Sequence, residues 1–86
     1  MAKYVNLTAS ATVKTGFGKV YGMYVNSTSS GTIKLWDNTS GSGTVINNTI
    51  TPAVGYHKLG PEEGASFNTG LYATIGGTLD VTLYFE

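Results

Sequence analysis

The sequence predicts an all-β protein, an antiparallel β-sandwich of jelly-roll-like form with about eight short strands and no helix of note. Three observations carry this. Apolar residues alternate with a period of two and nowhere sustain the three- and four-residue spacing of a helix. Glycine occurs 12 times, and threonine, serine and asparagine crowd the gaps between apolar runs. Turn chemistry returns every 8–12 residues or about that, the interval of sandwich strands.

The elements follow in order. "KYVNLTA" (3–9) and "SATVKTG" (10–16) each hold an extended segment. Residues 1–3 make a short N-terminal arm, expected to be pinned by a neighbour because free termini are seldom ordered. "FGKVYGMYVN" (17–26) is a long strand closed by the turn cluster "STSSG", and "TIKLWDN" (32–38) is the next, closed by "TSGSG". "TVINNTI" (44–50) follows, Pro52 breaks the chain, and "AVGYHKL" (53–59) leads into the proline-led turn "GPEEG". Leu71, Ala73 and Ile75 alternate with Tyr72 and Thr74, and Gly76 and Gly77 supply positive φ for a hairpin that pairs the last two strands. In the closing strand Leu79, Val81, Leu83 and Phe85 face the core while Asp80, Thr82, Tyr84 and Glu86 face away. No linker or repeat divides the chain, so residues 1–86 read as one domain.

Composition narrows the function. A chain of 86 residues is expected to have modest stability alone, because so small a domain buries only about 60% of its unfolded surface. Without cysteine it has neither disulfides nor thiolate metal sites. Five acidic residues balance Lys3, Lys14, Lys19, Lys34 and Lys58, arginine is absent, and only 12% of residues are charged. Nucleic acid needs a basic stripe to displace counterions, and none is present. No apolar run approaches the length of about 20 residues that a membrane-spanning helix requires. The start "MAKYVNLTAS" lacks the apolar centre of a signal peptide, which points to a protein made and used without export.

Candidate chemistry is sparse. His57 is the single histidine, with no cysteine or second histidine to complete a metal cluster or a nucleophile–base pair, so a structural role is expected. Glu62 and Glu63 adjoin in a turn, without the surrounding oxygen ligands that calcium demands. The glycines of "GFG" and "GSG" precede no helix and no Lys-Ser/Thr pair, so they are turns, not phosphate loops. Four Asn-x-Ser/Thr triplets, at Asn6, Asn26, Asn38 and Asn47, are by-products of a Thr- and Asn-rich β protein. No catalytic, cofactor or metal set emerges, and the expectation is a protein that is not an enzyme.

One constellation reads as a working surface. With Ile33 and Leu35 facing the core, Trp36 points outward beside Lys34, and the same parity turns Tyr72 and Tyr84 outward. Exposed aromatics on a low-charge domain are what protein interfaces use as anchors. Tyr4, at the end of the N-terminal arm, joins them as a candidate contact residue.

The run "ATVKTGFGKVYGMYVN", then "TIKLWDN", then "FNTGLYATIGGTLDVTLYF" resembles the small β-sandwich structural proteins of tailed bacteriophages. The matching positions are Val13, Lys14 and Gly16; Gly18 and Gly22; Lys34, Leu35, Trp36 and Asp37; Phe67, Gly70 and Leu71; and Gly77, Asp80, Val81, Thr82 and Tyr84. Together they span about three quarters of the chain in short elements that other sandwiches also use. The resemblance implies a virion component, assembled in the host cytoplasm, that decorates or cements the capsid by binding the major capsid protein. It also implies a homo-oligomer, with a trimer favoured on the lattice. A tail, fibre or head-tail-junction protein and a small carbohydrate-binding module are the alternative expectations.

Overall fold

The computed structural model describes residues 3–86. The first two residues of the expected N-terminal arm lie outside them, and Lys3 already belongs to a strand. The strands are β1 (Lys3–Leu7), β2 (Ala11–Thr15), β3 (Gly18–Asp37), β4 (Thr44–Ile50), β5 (Gly55–Lys58), β6 (Ala65–Phe67) and β7 (Gly70–Phe85). All seven join one antiparallel sheet, and no helix occurs among the described residues. The all-β antiparallel class is the one that period-two alternation and recurrent turn chemistry dictate.

Two strands organise everything else. β3 has 20 residues and β7 has 16, where a usual strand has about 5 or 6. They pair with each other from Val20–Phe85 at one end to Trp36–Tyr72 at the other. Beside the first half of β3, β7 takes β1 on its far edge, and β3 takes β5 and β6. Beside the second half, β7 takes β2 and β3 takes β4. The sheet is thus two halves, each four strands wide, sharing the same central pair.

The halves fold over a common interior. Met23, Val25, Val81 and Leu83 from the first, and Ile33, Leu35, Leu71 and Ala73 from the second, are at most 2% exposed and belong to one apolar core. That is a sandwich made by bending one sheet, because the inward face of each half must be covered and the other half is what covers it.

Two expected turns prove to be bends inside strands. "STSSG" does not end β3: Ser29 and Ser30 both face Thr78 across a bulge, and Ser30 takes φ 56°. Thr28 Oγ1 accepts the Gly31 amide at 3.0 Å and donates to the Thr78 carbonyl at 3.4 Å, which fixes the bulge from within. Opposite it, Gly77 takes φ 66° inside β7, so no hairpin forms between 71–75 and 79–86, and both stretches pair with β3 instead of each other. The physical reason is that the small, hydroxylated and positive-φ residues that close a hairpin equally well accommodate a bulge that bends a continuing strand. About eight short strands therefore become seven, two of them long, and the two sheets of a jelly roll become one folded sheet. β6, which no alternation announced, pairs its three residues with Gly18–Val20.

The parity of the closing strand holds. Leu79, Val81, Leu83 and Phe85 are buried, and Asp80, Thr82, Tyr84 and Glu86 lie on the opposite face, half-buried. The strand is held on both sides: Tyr84 faces Tyr4 of β1 and Gly22 of β3. The Glu86 amide donates to the Lys19 carbonyl at 2.7 Å, and the Lys19 amide donates back at 3.0 Å. The apolar-alternating C-terminus is thus a central strand of the fold.

Candidate interaction surfaces

The outer face of the first half is lined with tyrosine. Register places Tyr4, Tyr84, Gly22 and Lys58 in one row across β1, β7, β3 and β5. The next row holds Asn6, Thr82, Tyr24 and Tyr56. Tyr4 is 76% exposed, Tyr56 56% and Tyr24 43%. Tyr84 is half-buried because Tyr56 leans toward it, with ring centroids 6.3 Å apart and planes tilted by 50°. That lean is possible only over glycine: a Cβ on Gly22 would run into the hydroxyl end of Tyr56. Alternation picks out Tyr84, and Tyr4 stands out by its place at the N-terminal arm. Neither signal marks Tyr24 and Tyr56, although Gly22-x-Tyr24 and Tyr56-x-Lys58 carry the same period-two spacing.

A polar cluster borders the tyrosines. Asp80 Oδ1 accepts the amide nitrogens of Asn6 at 2.7 Å and Asn26 at 3.1 Å, and Asn26 also donates to Thr82 Oγ1 at 3.2 Å. Asn26 reaches this position because a register shift between Val25 and Ser27 leaves it as the extra residue of a bulge. The result is a flat strip of amide, carboxylate and hydroxyl groups beside four phenol rings.

Trp36, Tyr72 and Lys34 lie on the other half of the sheet, apart from Tyr4 and Tyr84. Trp36 and Tyr72 face each other across β3 and β7. The outward parity of Trp36 is as expected, yet the ring is half-buried and engaged: Nε1 donates to Thr74 Oγ1 at 3.0 Å, and the Lys34 ammonium sits 4.3 Å from the ring centroid. Such a cation–π contact contributes about 0.5–1 kcal/mol at an accessible site. Tyr72 is half-buried because the loop after β3 passes over it. Gly41 comes so close that a Cβ there would lie 3.3 Å from the Tyr72 ring, and Thr12 Oγ1 donates to the Thr39 carbonyl at 2.9 Å. The five expected contact residues therefore fall into two groups on different halves, and the tyrosine group is the more open.

Asp37 has a different task. Its carboxylate accepts the backbone amides of Thr69 at 2.8 Å, Asn68 at 3.0 Å and Gly70 at 3.4 Å, clamping the β6–β7 turn to the end of β3. Burial pushes this carboxyl up, but the three amide bonds outweigh it and hold the group below the usual aspartate value. At the far end of the pair, the Tyr21 hydroxyl donates to Glu86 Oε1 at 2.5 Å. That bond first, then burial and the carboxylate charge, push the Tyr21 phenol up.

The remaining chemical groups are dispersed. His57 Nε2 donates to the Ala53 carbonyl at 2.7 Å, tethering the segment that enters β5, which is a structural role. Glu62 pairs loosely with Lys58 at 3.8 Å in solvent, an ion pair of little energetic weight. No group of three His, Cys, Asp or Glu side chains comes together as a metal site among the described residues. An open depression of about 470 Å³ lies between the β2–β3 turn and β6, rimmed by Lys14, Lys19, Asn68 and Glu86, with Phe17, 80% exposed, at its edge. No helix among the described residues is long and apolar enough to cross a membrane. Comparison with protein-family models, with curated proteins and with solved structures returns no match.

Proposed function

We propose that this chain is a non-enzymatic structural protein of a phage virion, most specifically a decoration or cement protein that binds the major capsid protein lattice as a homo-oligomer. The observation that carries the reading is the outer face formed by Tyr4, Tyr24, Tyr56 and Tyr84, with three of the four substantially exposed. Tyrosine gives a large contact area at little conformational cost, which is why interfaces enrich it. A domain with few charges and two separate aromatic surfaces is suited to touching more than one neighbour, and repetition on a symmetric lattice turns weak single contacts into firm attachment. The resemblance of the short motifs "TIKLWDN" and "FNTGLYATIGGTLDVTLYF" to those of phage sandwich proteins supports a capsid as one of those neighbours.

The strip of Asn6, Asp80, Asn26 and Thr82 beside the tyrosines favours one second reading, a carbohydrate-binding module, because sugars need hydroxyl partners next to an aromatic platform. The test is binding to the parent capsid. Tyr84→Ala and Trp36→Ala are each expected to lower occupancy on the particle while circular dichroism stays that of the folded domain. Full occupancy in both variants removes these residues from the contact, and glycan-array binding lost in Tyr24→Ala replaces the capsid reading with the carbohydrate one.

A further inference from the structure

We infer that the tyrosine face is the surface by which two copies of this chain pair about a twofold axis through Tyr24; this rests on the contact-protein reading above and names the occupant of its principal surface. The face carries two opposite charges, placed symmetrically about its centre. Tyr24 of β3 faces Tyr56 of β5 on one side and Thr82 of β7 on the other. Lys58 lies on β5, one outward position along the strand from Tyr56. Asp80 lies on β7, one outward position from Thr82 in the opposite sense. The sequence along the diagonal is thus cation, tyrosine, anion.

A face patterned this way is complementary to itself. A twofold axis lying in the interface and crossing that diagonal at Tyr24 sets each Lys58 over Asp80 of the second copy and stacks the two Tyr24 rings on the axis. The chemistry at both ends is available. Lys58 is exposed, and among the described residues its ion pair is the loose 3.8 Å contact to Glu62. Asp80 receives both asparagine amides on Oδ1, which leaves Oδ2 to accept an ammonium. Glu86, bonded to Tyr21 at the far end of β7, falls beyond the footprint.

Size sets the expected strength. Four strands at the usual spacing, over about four residue rises, make a patch of roughly 250 Å² in projection. That is smaller than the contact of a standard stable complex, about 800 Å² per partner, so the pair belongs to the weak, reversible class with a dissociation constant in the micromolar range or above. A pair of this kind doubles the attachment points presented to a lattice.

Analytical ultracentrifugation of the purified chain tests this. The native protein is expected to show a reversible monomer–dimer equilibrium. Lys58→Glu and Asp80→Lys are each expected to weaken it about tenfold or more, since each sets like charges opposite one another. The double variant, K58E with D80K, is expected to recover native pairing. Should Asp80→Lys fail to fold for want of its asparagine bonds, Tyr24→Asp takes its place, because two like charges then meet on the axis. A native chain that stays monomeric to millimolar concentration, a dimer indifferent to Lys58→Glu, or a folded double variant weaker than both single ones overturns the proposal. Pairing as described without capsid binding overturns the capsid reading alone, and capsid binding by a strict monomer overturns the pairing alone.

Discussion

Tyr56 lies across Gly22, its hydroxyl in the space that a Cβ at position 22 would fill. The ring can swing away, but the His57 carbonyl, 2.9 Å from that Cβ, is backbone and yields less. Alanine in a strand gains about 0.5–1 kcal/mol over glycine, while crowding a packed position costs about 1–3 kcal/mol. Gly22→Ala is therefore expected to destabilise by about 1 kcal/mol net. It is also expected to break the Tyr56–Tyr84 contact. Urea denaturation reads the first effect and near-ultraviolet circular dichroism the second.

Asp37 makes stability depend on pH at the acid end. Its folded value lies below the ordinary 3.8, so its contribution is fully present above 3.8 and is lost as pH falls through the folded value. Asp37→Asn is expected to flatten the acid limb of the stability–pH curve and to cost about 1 kcal/mol at neutral pH, the low end for charge-assisted bonds because solvent screens this group. Thermal melts of both proteins across the acid range check it. An unchanged acid limb would show that the clamp on Asn68–Gly70 does not depend on charge.

Tyr21 acts at the alkaline end with the opposite sign. Its folded value is raised above 10.0, so the contribution of its bond to Glu86 is complete below pH 10.0 and is lost as pH rises through the folded value. In an ultraviolet titration of the six tyrosines, one phenol is expected to ionise later than the rest, and Tyr21→Phe is expected to remove that late step.

Leu83 is fully buried near the C-terminal end of β7, opposite Met23. Leu83→Ala is expected to cost about 2–5 kcal/mol through lost burial and a residual cavity. A domain of this length has a total margin of about 9 kcal/mol, at roughly 0.1 kcal/mol per residue. Chemical denaturation is therefore expected to find the variant near the edge of folding, whereas Thr82→Ala, one residue away on the outer face, is expected to cost only about 1 kcal/mol through loss of the Asn26 hydrogen bond.

What alternation could reveal was the facing of single strands. Leu79 to Phe85 kept their sides because parity needs only the residues themselves. Strand continuity was not legible: Ser27 to Gly31, and Gly76 with Gly77, have the composition of turns, and only the opposing strand decides whether such a stretch reverses the chain or bends it. The tyrosine face was half legible for a related reason. Tyr84 announces an outward side and Tyr4 is marked by its place at the arm, but their neighbours Tyr24 and Tyr56 come from β3 and β5, and only register brings these four together. Trp36 was visible as outward-facing; its bond to Thr74 depends on pairing with a strand far along the chain.

Because β3 and β7 are the middle of both halves, neither half is a unit that can form or melt by itself. Their nearest pairing in sequence, Trp36 with Tyr72, already closes a long loop, and Val20 with Phe85 spans most of the chain. Such a topology makes the rate-limiting event the meeting of two distant segments, which slows folding and favours a single all-or-none transition. Once that zipper is closed, loosening either end strains the other, so the domain is built to stay assembled or to come apart completely.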